Sequence, residues 1–469
     1  MQLSRRELIR GTAALAAPFA PRPDMGAVRT VTPEQFGALG DGRTNDTDAF
    51  TAMSRFITAA GGGTIELRAT TYIVGRQSPD RRNGYRFAPA RIMHFSKCHT
   101  PLIIHGNGAR LKCADGLRYG TFDPDTGRPN KHTLPYYGAD KDLASPYFSM
   151  VGIEDCTAAV EITDLELDGN IERLTIGGQY GDADWQIGAV GIKLSNNLSS
   201  ERVARVRSHH HPQDGLVIDG SMKRTGPGRF EQVACESNGR QGCSIVGGHS
   251  YSFTGCRFNN SGQGRLSSRP GAGVDIEAEG KRIRDLTFEN CEFSNDRNAG
   301  LLADSGNSEG ATFRRCRFIG TTGWSAWPNK PRFRFFQCTF VGSIVSAYGD
   351  ADPSRATQFH DCTFRDDPAL SPTGQVYDAK TAHPIAELPY SRNVLFNRCR
   401  FLLTHAAVLP WTTNVVIFSD CVMSQKSRKQ SYPRGTFVGR NRIDGNVDLY
   451  SSIIRGQLVV NGKLLPRSA

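Results

Sequence analysis

Three carboxylates in two similar phrases are the residues best suited to acid–base chemistry. A-G-V-D-I-E from Ala272 carries Asp275 and Glu277, and A-G-L-L-A-D from Ala299 carries Asp304. If the phrases are adjacent strands, side chains two residues apart share a face at about 6.5–7 Å, and neighbouring strands lie about 4.8 Å away. Asp275, Glu277 and Asp304 then form one outward cluster, with Asp219 of D-G-L-V-I-D-G in the column of Glu277 and Asp304. Carboxylates this close repel, which raises at least one pKa and leaves one group as a proton donor and another as a base or nucleophile. A pair about 5–9.5 Å apart is what glycoside hydrolysis uses. The same oxygens can instead hold Ca²⁺, which would neutralise a substrate uronate and make its α-proton removable. A third reading is a solvated acidic face with no chemistry.

Other groups fall beside this cluster. Lys193 in V-G-I-K-L is the best outward cation for an acidic sugar, with Arg207 as a second, and Asp214 opens the phrase that ends in Asp219. His209, His210 and His211 immediately precede that phrase. Adjacent strand histidines alternate in direction and no spaced carboxylate completes a ligand motif, so no metal site is expected there, and His211 is placed as a groove-side base or hydrogen-bond partner. Trp324 and Trp327 in G-W-S-A-W-P, one coil beyond Asp304, suit stacking on sugar faces as well as packing.

The elements that must position these groups are written in a repeat. F-T-G-C-R-F ending at Phe258 recurs at Phe293, Phe318, Phe340, Phe364 and Phe401 and fades at Met423. The intervals between cysteines from Cys235 to Cys421 are 21, 35, 25, 22, 24, 37 and 22. A period near 22–25 with two insertions is a solenoid signature. Strict alternation breaks at the residue before each cysteine. Gly255, Asn290, Asp361 and Asp420 suit a left-handed bend there, Arg315, Gln337 and Arg398 less so. With the V-G-I-K-L type of phrase as a further strand, the expected fold is all-β: a parallel β-helix of three short strands per coil. The twelve cysteines become small buried hydrophobes in a ladder rather than disulfide partners.

From Phe36, F-G-A-L-G-D-G-R-T-N-D-T-D leads into a predicted helix over Ala49–Ala60, followed by G-G-G-T-I-E-L-R-A-T-T-Y-I-V from Gly61. This opening resembles that of the pectate-lyase superfamily, which includes lyases, glycoside hydrolases and phage tailspikes. The resemblance implies a right-handed β-helix whose first coil is capped by a short α-helix, with substrate in a groove on one strand face. The chain lacks both the N-T-D, G-H-G, R-I-K series of the hydrolases and the W-I-D-H phrase of calcium pectate lyases, so no catalytic residue carries over. The segments are read as a signal peptide over 1–20, N-terminal cap and first coils over 31–75, β-helix with loop insertions over 76–425, and C-terminal strands over 426–469. Insertions at Asn170–Gly188 and Asn259–Gly271 are the expected groove walls.

S-R-R-E-L-I-R from Ser4, followed by a short apolar stretch to Ala20, matches a twin-arginine export signal too short to span a bilayer. Export by that machinery to the periplasm or beyond is expected, with no stable membrane anchor after cleavage. Net charge is +11, and +9 once three arginines and one glutamate leave with the first twenty residues. A basic exported protein favours acidic partners. No basic patch interleaved with aromatics is present, which excludes a nucleic-acid binder. The expected function is a polysaccharide lyase acting on a uronate-containing glycan by β-elimination. A glycoside hydrolase and a noncatalytic glycan-binding β-helix are the alternatives, and no cofactor is required beyond the Ca²⁺ option.

Overall fold

The left-handed bend is the local event from which the architecture follows. In the computed structural model, which describes residues 29–79, 87–123, 125–130, 143–178, 181–182, 185–377 and 381–468, the residue before each repeated cysteine takes this bend. Gly255, Asn290, Arg315, Gln337, Asp361, Arg398 and Asp420 all have φ between 52° and 63°. This conformation costs an ordinary L-residue about 1–2 kcal/mol. Arginine and glutamine adopt it here because the bend lets both flanking strands bury their apolar side chains. The proposed signal segment lies outside the described residues.

Burial on both sides of the bend builds two phenylalanine ladders. Phe253, Phe288, Phe313, Phe335, Phe359, Phe396, Phe418 and Phe437 stack ring on ring, beginning with centroids 4.5 Å apart and 4° between planes. Phe258, Phe293, Phe318, Phe340, Phe364 and Phe401 form the second. Between them run the cysteines; all twelve in the chain are buried and free, and several Sγ atoms donate to carbonyls of the phenylalanine ladder, as Cys291 does to Phe253.

Three parallel strands per coil complete the solenoid. In one coil these are Ala272–Ile276, Ala278–Glu289 and Glu292–Ser294, which pair with Ala299–Ala303, Gly306–Arg314 and Arg317–Ile319 of the next. Thirty-seven strands join in one hydrogen-bonded system, so the core is a continuous column. Parallel crossovers of this kind are right-handed, and the chain is a right-handed parallel β-helix.

The ends are closed by different means. Helix Thr47–Ala60 buries Phe50, Met53 and Ile57 on the first coils and stops at Gly61, whose φ is 80°. At the other end Lys463–Leu464 folds back antiparallel on Gln457–Val460. Segments inserted in the early coils form a separate five-stranded sheet that includes Arg118–Thr121 and Thr175–Ile176. Among the described residues no helix is long and apolar enough to cross a membrane.

Candidate functional site

One strand of each coil contributes to a single exposed face. Registers Lys193↔Val217, Val217↔Ser244, Ser244↔Asp275, Asp275↔Leu302 and Leu302↔Trp327 define one outward column. Next to it, the bulge after Ile218 sets Asp219 opposite Gly247, and Glu277 and Asp304 follow the corresponding strands of the next two coils. In this strand type glycine precedes the first core residue, and it has to. A Cβ on Gly273 would lie 2.5 Å from an Asp296 carboxylate oxygen and 2.6 Å from the Gly300 carbonyl. The backbones at this corner approach too closely for a side chain, which turns the preceding residue, Asp214 in one coil and Gln241 in the next, onto the outer face.

Over this face lies a groove of about 1210 Å³. Lys193, Val217, Val246 and Leu302 contribute to its floor; Phe148 and Gly188 line the end towards the first coils, beyond which Arg91, His94 and Glu154 line a further hollow that shares Phe148 and Lys193. One flank carries Arg240, Arg269 and Arg297, and the other carries Asp219, Lys281, Glu277, Asp304 and Ser305. Gly188 belongs to the insertion starting at Asn170, and Arg269 with Pro270 to the insertion starting at Asn259. The groove therefore presents five cationic side chains.

Beneath the floor is a buried polar network. Arg240 Nη1 donates to Asp214 Oδ2 at 3.0 Å, Ser244 Oγ donates to the same oxygen at 2.8 Å and touches the Gln241 side-chain carbonyl, and Gln241 Nε2 donates to Asp275 Oδ2 at 2.6 Å. Asp214 and Asp275 are 0% and 3% exposed, and each keeps one buried carboxylate oxygen, Oδ1, with no partner. Asp275 thus stands in the expected column but is buried, not solvated. Burial, opposed by the Arg240 charge and reinforced by Glu277 and Asp304, pushes its pKa up to about 7. Burial raises Asp214 as well, against the pull of Arg240 and Ser244. Mutual repulsion among the acids is the smaller influence on Asp275; desolvation is the larger.

The remaining acids are engaged at the rim. Glu277 accepts a hydrogen bond from Ser305, and Asp219 is paired with Lys281 at 2.5 Å. Lys330 donates to the Gly306 carbonyl at 3.0 Å; burial lowers its pKa while Asp304 and Glu277 raise it, so it balances their charge from below. The fit to Ca²⁺ is poor. Among the described residues only Asp168, His209 and His210 bring ligand atoms within 4.8 Å of one another, and Asp275, Glu277 and Asp304 do not converge on one point.

Three of the proposed substrate-binding residues are elsewhere. His211 is fully buried, with Nδ1 2.9 Å from the Tyr147 hydroxyl, and burial takes its pKa down to about 3. The corner at His210 turns it into the core instead of the groove. Trp324 and Trp327 pack edge to face at 5.1 Å, Trp324 also against Tyr377. Trp327 covers the apolar patch of Ala272, Ala299 and Leu302, because the register sets this strand one coil past the groove. Arg207 pairs with Glu236 at 3.0 Å on a different sheet.

Gln241, Ser244, Arg240, Arg269, Lys281, Arg297 and Lys330 were not singled out by the sequence. Gln241 had a usable signal, since Q-G-C-S-I-V aligns with D-G-L-V-I-D and puts it under Asp214. Arg269 had none, because its placement depends on how the insertion starting at Asn259 folds back, whereas Arg240 and Arg297 lie in the short turns before the repeated strands.

The family described as a right-handed β-helix region matches residues 188–364. No curated protein matches the sequence. Among solved structures, the A-module of Azotobacter vinelandii mannuronan C-5 epimerase AlgE4 is similar at 14% identity and TM-score 0.42, over 94% of this chain and 100% of that one. The tailspike gp49 of Acinetobacter baumannii bacteriophage Fri1, a capsular polysaccharide depolymerase, is similar at 13% identity and TM-score 0.45, over 91% and 64%. The N-terminal fragment of bacteriophage phi29 gene product 12 gives 12% and 0.49, over 93% and 73%.

Proposed function

We propose that this chain cleaves an acidic, uronate-bearing polysaccharide by β-elimination in the groove above Asp275. The observation that carries the reading is a groove edged by Lys193, Arg240, Arg269, Lys281 and Arg297, beneath which burial pushes the pKa of the Asp275 carboxyl up to about 7. An acidic glycan laid across the coils meets cations on both flanks, and a polar groove fits a chain of sugars better than a compact apolar ligand.

Each part of an elimination has a candidate group. The flanking cations neutralise the uronate carboxylate, which makes the C5 proton more acidic. A rim carboxylate, Glu277 or Asp304, removes that proton. As the C4–O4 bond breaks, Asp275, whose buried Oδ1 must be uncovered when the sugar binds, donates its proton to O4, leaving a C4–C5 double bond on one product and a hydroxyl on the other. The acid and base differ because one carboxylate is buried and the others are solvated. No step requires a metal ion.

Hydrolysis is the second reading, favoured by one feature: Asp275 and Glu277 lie two residues apart on one face, about 7 Å by strand geometry, within the range of paired carboxylates in glycoside hydrolases. Incubation with a panel of uronate-bearing and neutral polysaccharides, following both the ultraviolet absorbance of the unsaturated uronate and new reducing ends, separates the two. β-Elimination yields both signals, hydrolysis reducing ends alone. Activity on neutral glycans only would overturn the acidic-substrate reading.

A further inference from the structure

The histidine corner that leaves His211 in the core also creates a second chemical site. Strand alternation would send the rings of His209 and His210 in opposite directions. His210 instead sits in the left-handed bend, at φ 53°, and its ring swings back until Nδ1 lies 2.6 Å from His209 Nδ1. Asp168, directly opposite His209 on the preceding coil, has Oδ1 3.8 Å from the same nitrogen. All three ligand atoms lie within 4.8 Å of one another.

Neighbouring groups fix the chemistry of these atoms. His209 Nε2 is 2.9 Å from Glu166 Oε1, so it carries the proton it donates to that carboxylate, and Nδ1 presents a lone pair. A carboxylate behind a histidine in this way orients metal-ligating imidazoles and raises their basicity. The Asp168 carboxylate is held at its other oxygen, Oδ2, by Arg110, while Oδ1 also accepts from the Asn170 amide at 2.9 Å. Arg110 and Arg207, each 3.5 Å from Glu166, Glu236, paired with Arg207, and Lys112, opposite Asp168 on the preceding coil and 3.6 Å from Asp115, are charged groups around the corner. Asp168 and His209 are buried and His210 is half-exposed, which leaves one side open to solvent.

We propose that Asp168, His209 and His210 form a site for one transition-metal ion of the Zn²⁺ class, bound through His209 Nδ1, His210 Nδ1 and Asp168 Oδ1. Two imidazoles and a carboxylate suit such an ion and leave a fourth position for water. Ligand atoms about 2.0–2.1 Å from a tetrahedral ion sit about 3.3 Å apart. The 2.6 Å pair must therefore open and the 3.8 Å pair close, each by less than about 1 Å, and the His210–Asp168 pair, within 4.8 Å, must close by at most about 1.5 Å. On binding, the ion replaces the proton shared between the two Nδ1 atoms; His210 gives up that proton from Nδ1 and takes one from solvent at Nε2, so that both rings bind as neutral imidazoles. Asp168 ends its strand two residues before Asn170, where the insertion that walls the groove begins. The ion would fasten the base of that wall.

Titration of the untagged full chain with Co²⁺, a spectroscopically visible stand-in for Zn²⁺, tests the site. One equivalent should bind with a ligand-field absorption, be displaced by equimolar Zn²⁺, and resist an excess of Ca²⁺. His210→Ala should abolish the signal, and Glu166→Gln, which removes only the orienting carboxylate, should weaken binding 10–100-fold. The groove variant carrying Glu277→Gln and Asp304→Asn should bind as the native chain does. Absence of the absorption in the native chain, displacement by Ca²⁺, or unchanged binding in both His210→Ala and Glu166→Gln would overturn the proposal. Should His210→Ala fail to fold, Glu166→Gln and the native titration decide it.

Discussion

Asp275 is the least solvated of the acids Asp275, Glu277 and Asp304, at 3% exposure. Its carboxyl is desolvated, bonded at one oxygen to Gln241 and unpartnered at the other, a costly arrangement for a charged group and a tolerable one for a neutral acid. A raised pKa means that the folded state binds the proton more tightly than the unfolded chain. The stabilisation is complete below the unfolded value of 3.8 and is lost as pH rises through about 7. Over that window the single group is worth on the order of 4 kcal/mol. Asp275→Asn should flatten this part of the stability–pH profile, measured by denaturant unfolding between pH 4 and 8. The same variant should lower kcat about 10²–10⁴-fold, as expected for loss of a general acid. Retention of both slope and activity would remove Asp275 from the site. The sequence identified this residue through its column but misjudged its environment, since facing can be read from periodicity whereas burial depends on what the insertions cover. His211 was misplaced for a related reason: a single left-handed residue, His210, breaks the alternation on which facing rests.

At the scale of the element, the coil corner is what the repeat encodes best. The bends at Arg315, Gln337 and Arg398 follow the alignment of the phrase even though their residue types disfavour them, so the pattern of burial outweighs local propensity. Gln337 is a site where that conflict can be relieved. Asparagine tolerates the left-handed region better, and Gln337→Asn should stabilise the protein by about 0.5–1 kcal/mol in denaturant melts. Phe313→Ala, by contrast, interrupts a stacked ladder and should cost about 3–5 kcal/mol. A stability loss from Gln337→Asn, or a neutral Phe313→Ala, would mean that the ladder does not set the corner.

Across the whole molecule, the parallel column of coils determines both where the groove lies and what threatens the fold. An open first coil presents unpaired backbone groups to any other chain. Helix Thr47–Ala60 and the strand Thr30–Val31, which pairs with Gly63–Glu66, cover that end. Removing residues 29–60 should convert the protein into concentration-dependent oligomers on size-exclusion chromatography; a monodisperse monomer would show that the cap has no such role. The architecture was legible in the sequence because solenoid repeats print their period directly, whereas the parts of the groove wall that come from non-repeating insertions, Gly188 and Arg269 with Pro270, were legible only as interruptions. The most direct test of the central claim is a crystal structure of Asp275→Asn with an oligouronate bound. The account predicts the sugar chain in the groove, its carboxylates facing Arg240, Arg269, Arg297 or Lys281, and a glycosidic oxygen within hydrogen-bond reach of residue 275. An oligouronate bound on another face, or a groove that stays empty at saturating ligand, would contradict it.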